Sequence, residues 1–157
     1  MILQTKGIRA FVTSAGVILA ITGVAKVASG FGGSLVLEYP EPISGTPIRY
    51  VFWILGAFEL CIASVCFLGK RLLPKVQLLT WLSTNFLVYR LGLNWLGHKP
   101  CSCLGNATEA LHIPAQLADT GMVIVLGYLI LGSYSSLFVI HRQHNRRVEE
   151  VVVAAKH

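Results

Sequence analysis

The chain has 157 residues, of which 54% are hydrophobic and only 13% charged, with a formal net charge of +6 and a mean hydropathy of +0.66. A soluble globule usually carries about 25% charged residues, so this composition excludes an ordinary soluble domain and points to a membrane protein. The positive balance does not indicate nucleic acid, because the basic residues stand beside apolar runs rather than in a stripe interleaved with aromatics.

A membrane-spanning helix needs about 20 mostly apolar residues. The first such run is 8–29, with Lys6 and Arg9 at its start. Those two charges resemble the n-region of a signal peptide, but the apolar stretch is long for one, and it is read as a retained span. Residues 30–49 gather Gly30, Gly32, Gly33, Pro40, Pro42, Gly45 and Pro47, which marks a long loop. The second helix is predicted over 50–68, a tight turn (GKRLLPK) over 69–75, and the third helix over 76–96. A second long loop, 97–116, follows. Pro114 stands just before the fourth run, 117–140, where a proline is tolerated in the first turn. The tail from His141 onward is charged; it extends the fourth helix into water and reads as a positive anchor near anionic lipid.

All four runs are helices, because backbone polar groups in lipid must be satisfied within the segment. Glycines inside them suit close helix approach in a membrane. The expected fold is therefore all-α, a four-helix transmembrane bundle forming one membrane domain. Trp53, Trp81 and Trp95 are placed near helix ends, as interfacial belt residues are. There is no internal repeat, heptad, P-loop or GxGxxG.

Orientation follows from the Lys/Arg distribution. Nine basic residues fall on one side: Lys6, Arg9, Lys70, Arg71, Lys75, Arg142, Arg146, Arg147 and Lys156. The two long loops carry only Arg49 and Lys99, and Lys26 and Arg90 lie inside predicted spans. Both termini are expected to be cytoplasmic and both long loops outside.

The loop 97–116 holds HKPCSCLGN. Outside the cytoplasm paired cysteines persist as disulfides. A bond between Cys101 and Cys103 closes a small strained ring, and strain makes a disulfide more reducible. His98 and Lys99 favour the thiolate, and Gly105 permits a turn. The leading reading is a redox dithiol. An inert or structural pair is one alternative. A metal site is another: His98, Cys101, Cys103 and His112 are ligand types that zinc uses, although their spacing matches no common zinc pattern. Cys61 and Cys66 lie inside the second span and read as small apolar packing residues. Asn106-Ala107-Thr108 matches the N-glycosylation acceptor.

Four ionisable residues fall in or at the edge of spans, one per helix: Lys26, Glu59, Arg90 and Asp119. Intramembrane charges are costly and usually face one another inside the bundle. At about 1.5 Å per residue all four lie in the outer half. They are expected to form one paired cluster under the cysteine loop, joined by Asn94 one turn from Arg90. Such a cluster either fixes helix register or handles protons or a quinone.

The order of these elements resembles the MauE branch of the DoxX-like membrane proteins. The likeness covers about residues 8–135 and rests on GVAKVASG ending helix one, GAFELC in helix two, and PCSCLG before the last helix. It implies a four-helix bundle in the bacterial inner membrane, a link to disulfide chemistry, and a thioredoxin-like periplasmic partner, since the chain has no Cys-x-x-Cys. The expected function is thiol–disulfide exchange through Cys101 and Cys103, with a quinone as candidate electron acceptor. The alternative is a small non-catalytic subunit of a larger membrane complex.

Overall fold

The structure, a computed structural model, describes residues 2–33, 35–41, 43–97 and 115–154. They form four α-helices: α1, Ile2–Gly30; α2, Ile48–Leu68; α3, Leu72–Trp95; and α4, Ala115–Ala154. A short 3-10 helix, Leu35–Glu38, lies between α1 and α2. Among the described residues there is no strand, only an isolated bridge between Pro40 and Pro47. The fold is all-α.

Among the described residues, three stretches are long and apolar enough to cross a membrane: Lys6–Gly30, Ile48–Leu68 and Asp119–Gln143. The sequence suggests four. The exception is α3, which at 24 residues is about 36 Å long. Length is not its shortfall. Gln77, Thr80, Ser83, Thr84, Asn85 and Arg90 interrupt its apolar residues. Several of these find partners: the Ser83 hydroxyl donates to the Thr80 carbonyl of its own helix, and at the surface the Thr84 hydroxyl pairs with the Tyr134 hydroxyl of α4.

The helix ends also depart from the sequence expectation. α3 begins at Leu72 rather than 76, because Pro74 falls in the first turn, where its missing N–H costs no hydrogen bond. The turn between α2 and α3 shrinks to Gly69–Arg71, and Lys75 becomes a buried helical residue. α4 runs on to Ala154, so the charged tail does continue the fourth helix.

The closest neighbours are α1 with α2 and α3 with α4. The core draws Ile8, Val12, Ala15 and Leu19 from α1, a spacing of alternating four and three residues that keeps one stripe inward. Ile62 and Ala63 of α2, Val76, Leu79 and Leu82 of α3, and Leu129 of α4 complete it. Ile21, Val24, Ile54, Val88, Ile124, Leu131 and Phe138 are exposed, an outward apolar surface that suits lipid. Gly23 and Gly56 let α1 and α2 touch backbone to backbone: a Cβ on Gly56 would lie 2.9 Å from the Gly23 carbonyl oxygen.

Trp95 ends α3 and is 90% exposed, and Trp53 stacks near Phe31 and Tyr50 at the same end. Both fit an interfacial belt. Trp81 does not. It sits near the middle of α3, held by the ring of Phe58, whose centroid is 5.5 Å away.

The described residues between α1 and α2, 31–33, 35–41 and 43–47, form a hydrogen-bonded cap rather than a slack loop. The bridge is closed by Glu41 N–H to the Thr46 carbonyl and Ile48 N–H to the Tyr39 carbonyl, around a turn in which Gly45 takes φ of 67°. Leu37 is buried against Ile48 and Phe52 and pins the cap to α2.

Candidate functional site

Lys26 lies on the inward face of α1, four residues from its end. Glu59 lies near the middle of α2, on the face that meets α1 at Gly56. The tight Gly23–Gly56 crossing brings the two together, and Lys26 Nζ donates to Glu59 Oε1 at 2.6 Å. The side chains are 4% and 2% exposed, so the lysine does not snorkel to the surface. One turn back along α1, the Thr22 hydroxyl donates to Glu59 Oε2 at 2.9 Å. The Leu19 carbonyl is a poorer acceptor for that single proton, at 3.3 Å. On the third side Lys26 Nζ stands 5.6 Å from the centroid of Phe86 in α3, within cation–π range.

The second pair, Arg90 with Asp119, joins α3 to α4. It is partly exposed, so water screens it more and it stabilises less than the first. No ion pair among the described residues links the two. The single cluster expected from the sequence is therefore two pairs, because each charge is met by the helix packed most closely against its own. Asn94 is exposed beside the end of α3 and belongs to neither pair.

Sequence reasoning missed Glu41. It is buried in the cap, where Ile43 N–H and Ser44 N–H donate to Oε2 at 3.0 and 2.6 Å, and Tyr89 of α3 donates to Oε1 at 2.9 Å. Burial pushes the carboxyl up, but the Ser44 backbone, Ser44 and Tyr89 side-chain, and Ile43 backbone hydrogen bonds together outweigh it and hold it below the usual value. The available signal was an acid followed by Ser-Gly-Thr, the composition of a turn whose amides need an acceptor. A depressed carboxyl stabilises the fold above its unfolded pKa, and the gain is lost as pH falls through the folded value. Glu41→Gln should thus melt below the wild type at neutral pH. That gap should shrink as the pH falls from the ordinary 4.5 toward the folded value. A gap in thermal midpoint that is independent of pH would refute this account.

His98, Lys99, Cys101, Cys103, Gly105 and His112 lie outside the described residues, as do Pro114 and the acceptor Asn106. Cys66 is buried in the core and fits the packing reading, whereas Cys61 is exposed on α2. No group of three metal-ligating side chains occurs among the described residues. Two donors at the cap end, Arg49 Nε and Trp53 Nε1, are buried without an acceptor among them; a quinone carbonyl is an acceptor of the kind such donors take.

No family model matches the chain, and neither does any curated protein or solved structure. The likeness to the MauE branch rests on the motifs quoted above.

Chemically, the buried centre is a carboxylate, an ammonium and a hydroxyl on two crossing helices. It clamps α1 to α2.

Proposed function

We propose that the chain is a thiol–disulfide redox protein of the bacterial inner membrane, with both termini cytoplasmic and Cys101 and Cys103 exchanging electrons with a periplasmic thioredoxin-like partner. The observation that supports this reading is where the Cys-x-Cys segment is rooted. Residues 98–114 join α3 to α4, and just inside those roots Arg90 and Asp119 tie the two helices together. The segment thus starts and ends at the same end of the bundle as the ordered cap.

In the exchange, one thiolate of the pair attacks a sulfur of the partner's disulfide, and the partner's other sulfur leaves as a thiolate. The second cysteine then attacks the mixed disulfide. Cys101–Cys103 is oxidised and the partner is reduced by two electrons, taking up the two protons. The reverse sequence oxidises the partner. That direction leaves Cys101 and Cys103 as thiols, and a quinone is the proposed class of oxidant that returns them to the disulfide, taking up two electrons and two protons as it becomes the quinol, with Arg49 and Trp53 as donors to its carbonyl.

Single Cys101→Ser and Cys103→Ser variants test the reading. One of them should accumulate a mixed disulfide with a thioredoxin-like protein, separable on a non-reducing gel, and the double variant should lose exchange altogether. A membrane-impermeant thiol reagent should label this pair in intact, reduced cells and spare Cys66. A functionally silent double variant would defeat the proposal and leave a non-catalytic subunit. Thiols protected from alkylation until a chelator is added would replace it with a metal site.

A further inference from the structure

The end of the bundle away from the cap holds a cavity of about 250 Å³ between α1 and the α2–α3 turn. Three cationic side chains from separate segments line it: Arg9 of α1, Lys70 of the turn and Lys75 of α3. The Thr13 hydroxyl joins them, and no carboxylate does. Arg9 and Lys70 are exposed. Lys75 is only 8% exposed, and its Nζ donates to the Cys66 carbonyl at 2.5 Å.

That carbonyl is neutral, and no ion pair among the described residues reaches any of the three cations. A buried cation without a counter-charge is costly, and the carbonyl offsets only part of that cost. The local backbone adds to the imbalance. α3 opens without a side-chain cap and without an acid in its first turn, so its leading N–H groups and positive dipole end stand beside the cavity. Gly69 keeps the lysine in place: a Cβ there would lie 2.9 Å from Lys75 Cε and 2.6 Å from the Val65 carbonyl oxygen. The site is thus built for an anion, with hydrogen-bond donors on several sides.

We propose that this cavity binds the phosphate group of an anionic membrane lipid. Its position argues for lipid over a soluble anion. The apolar stretch of α2 ends at Leu68, one residue from the cavity wall, which places the cations at headgroup level. Phe67 forms part of the wall, and Phe67 and Leu68 are exposed toward the apolar surface, where acyl chains continue from a bound headgroup. The proposal is independent of the redox reading.

The test uses the full chain in a neutral detergent, with phosphatidylglycerol, phosphatidylcholine and inorganic phosphate as probes, followed by native mass spectrometry and thermal melting. Phosphatidylglycerol should bind more tightly than phosphatidylcholine and raise the melting midpoint. Arg9→Gln and Lys70→Gln should each weaken phosphatidylglycerol binding about fivefold, and the double variant about thirtyfold, at about 1 kcal/mol per cation. Both residues are exposed, so the lipid-free melting point of the double variant should equal that of the wild type. This control separates lost binding from lost folding, which Lys75→Gln alone would not. Equal binding of the two lipids, or phosphatidylglycerol binding unchanged in the double variant, would overturn the site. Full stabilisation by millimolar inorganic phosphate, with no preference for phosphatidylglycerol, would overturn the lipid source.

Discussion

Glu59→Ala lowers the stability of the bundle by about 3–5 kcal/mol, the usual cost of removing one partner from a buried ion pair. The reason is what stays behind. Lys26 Nζ loses its carboxylate while remaining 4% exposed, and Phe86 supplies only a weak cation–π contact in exchange. Thr22 loses its best acceptor as well. The measurement is denaturant unfolding in mixed micelles. Combining Glu59→Leu with Lys26→Met should restore most of the loss, because a well-packed apolar pair of similar volume is often neutral or stabilising relative to a buried ion pair. A single variant as stable as the wild type would remove the pair from the account of the fold. The double variant also tests what the pair is for: if it folds and still exchanges thiols, the pair acts only as a clamp between α1 and α2.

Gly56→Ala should cost about 1–3 kcal/mol by overpacking, and Gly56→Val more. The added Cβ would meet the Gly23 carbonyl oxygen at 2.9 Å, Val27 Cγ2 at 2.8 Å and Lys26 Cβ at 3.2 Å. All three neighbours belong to α1, which carries Lys26, so forcing the helices apart also lengthens the contact with Glu59. Gly121→Ala and Gly127→Ala are the matching controls. Nothing lies within 4 Å of either Cβ, so both should be neutral or gain up to about 1 kcal/mol from helix propensity. If the Gly56 and Gly127 variants melt together, the close crossing is not what organises α1 and α2.

The helices were legible because an apolar run of span length has few alternatives. The order of elements, the one charge per helix and the extension of α4 past His141 all follow from that pattern. The pairing of the charges was less accessible. Lys26, Glu59, Arg90 and Asp119 balance in any combination, and only the crossing at Gly23 and Gly56 selects Lys26 for Glu59. α3 was over-read: its length suits a span, but Gln77, Thr80, Ser83, Thr84, Asn85 and Arg90 keep it less apolar than the spanning stretches of the other three helices. The start of α3 was obscured by Pro74, which reads as a break but is harmless in a first turn. Glu41 was hidden because a carboxylate in a proline-rich loop looks solvated until the amides of Ile43 and Ser44 are seen to turn toward it.

Each ion pair closes within one hairpin. Lys26 and Glu59 belong to α1 and α2, and Arg90 and Asp119 to α3 and α4. A lone lysine, arginine or aspartate at the centre of an inserting helix carries an apparent penalty of about 2.5–3.5 kcal/mol. Lys26, Arg90 and Asp119 stand within five residues of a helix end, where the penalty is smaller, and it is offset further by pairing between consecutive segments of the emerging chain, 33 and 29 residues apart. The α1–α2 hairpin can therefore leave the insertion machinery with its buried charges paired before α3 and α4 are synthesised. The order of charges along the chain serves biogenesis as much as the finished fold.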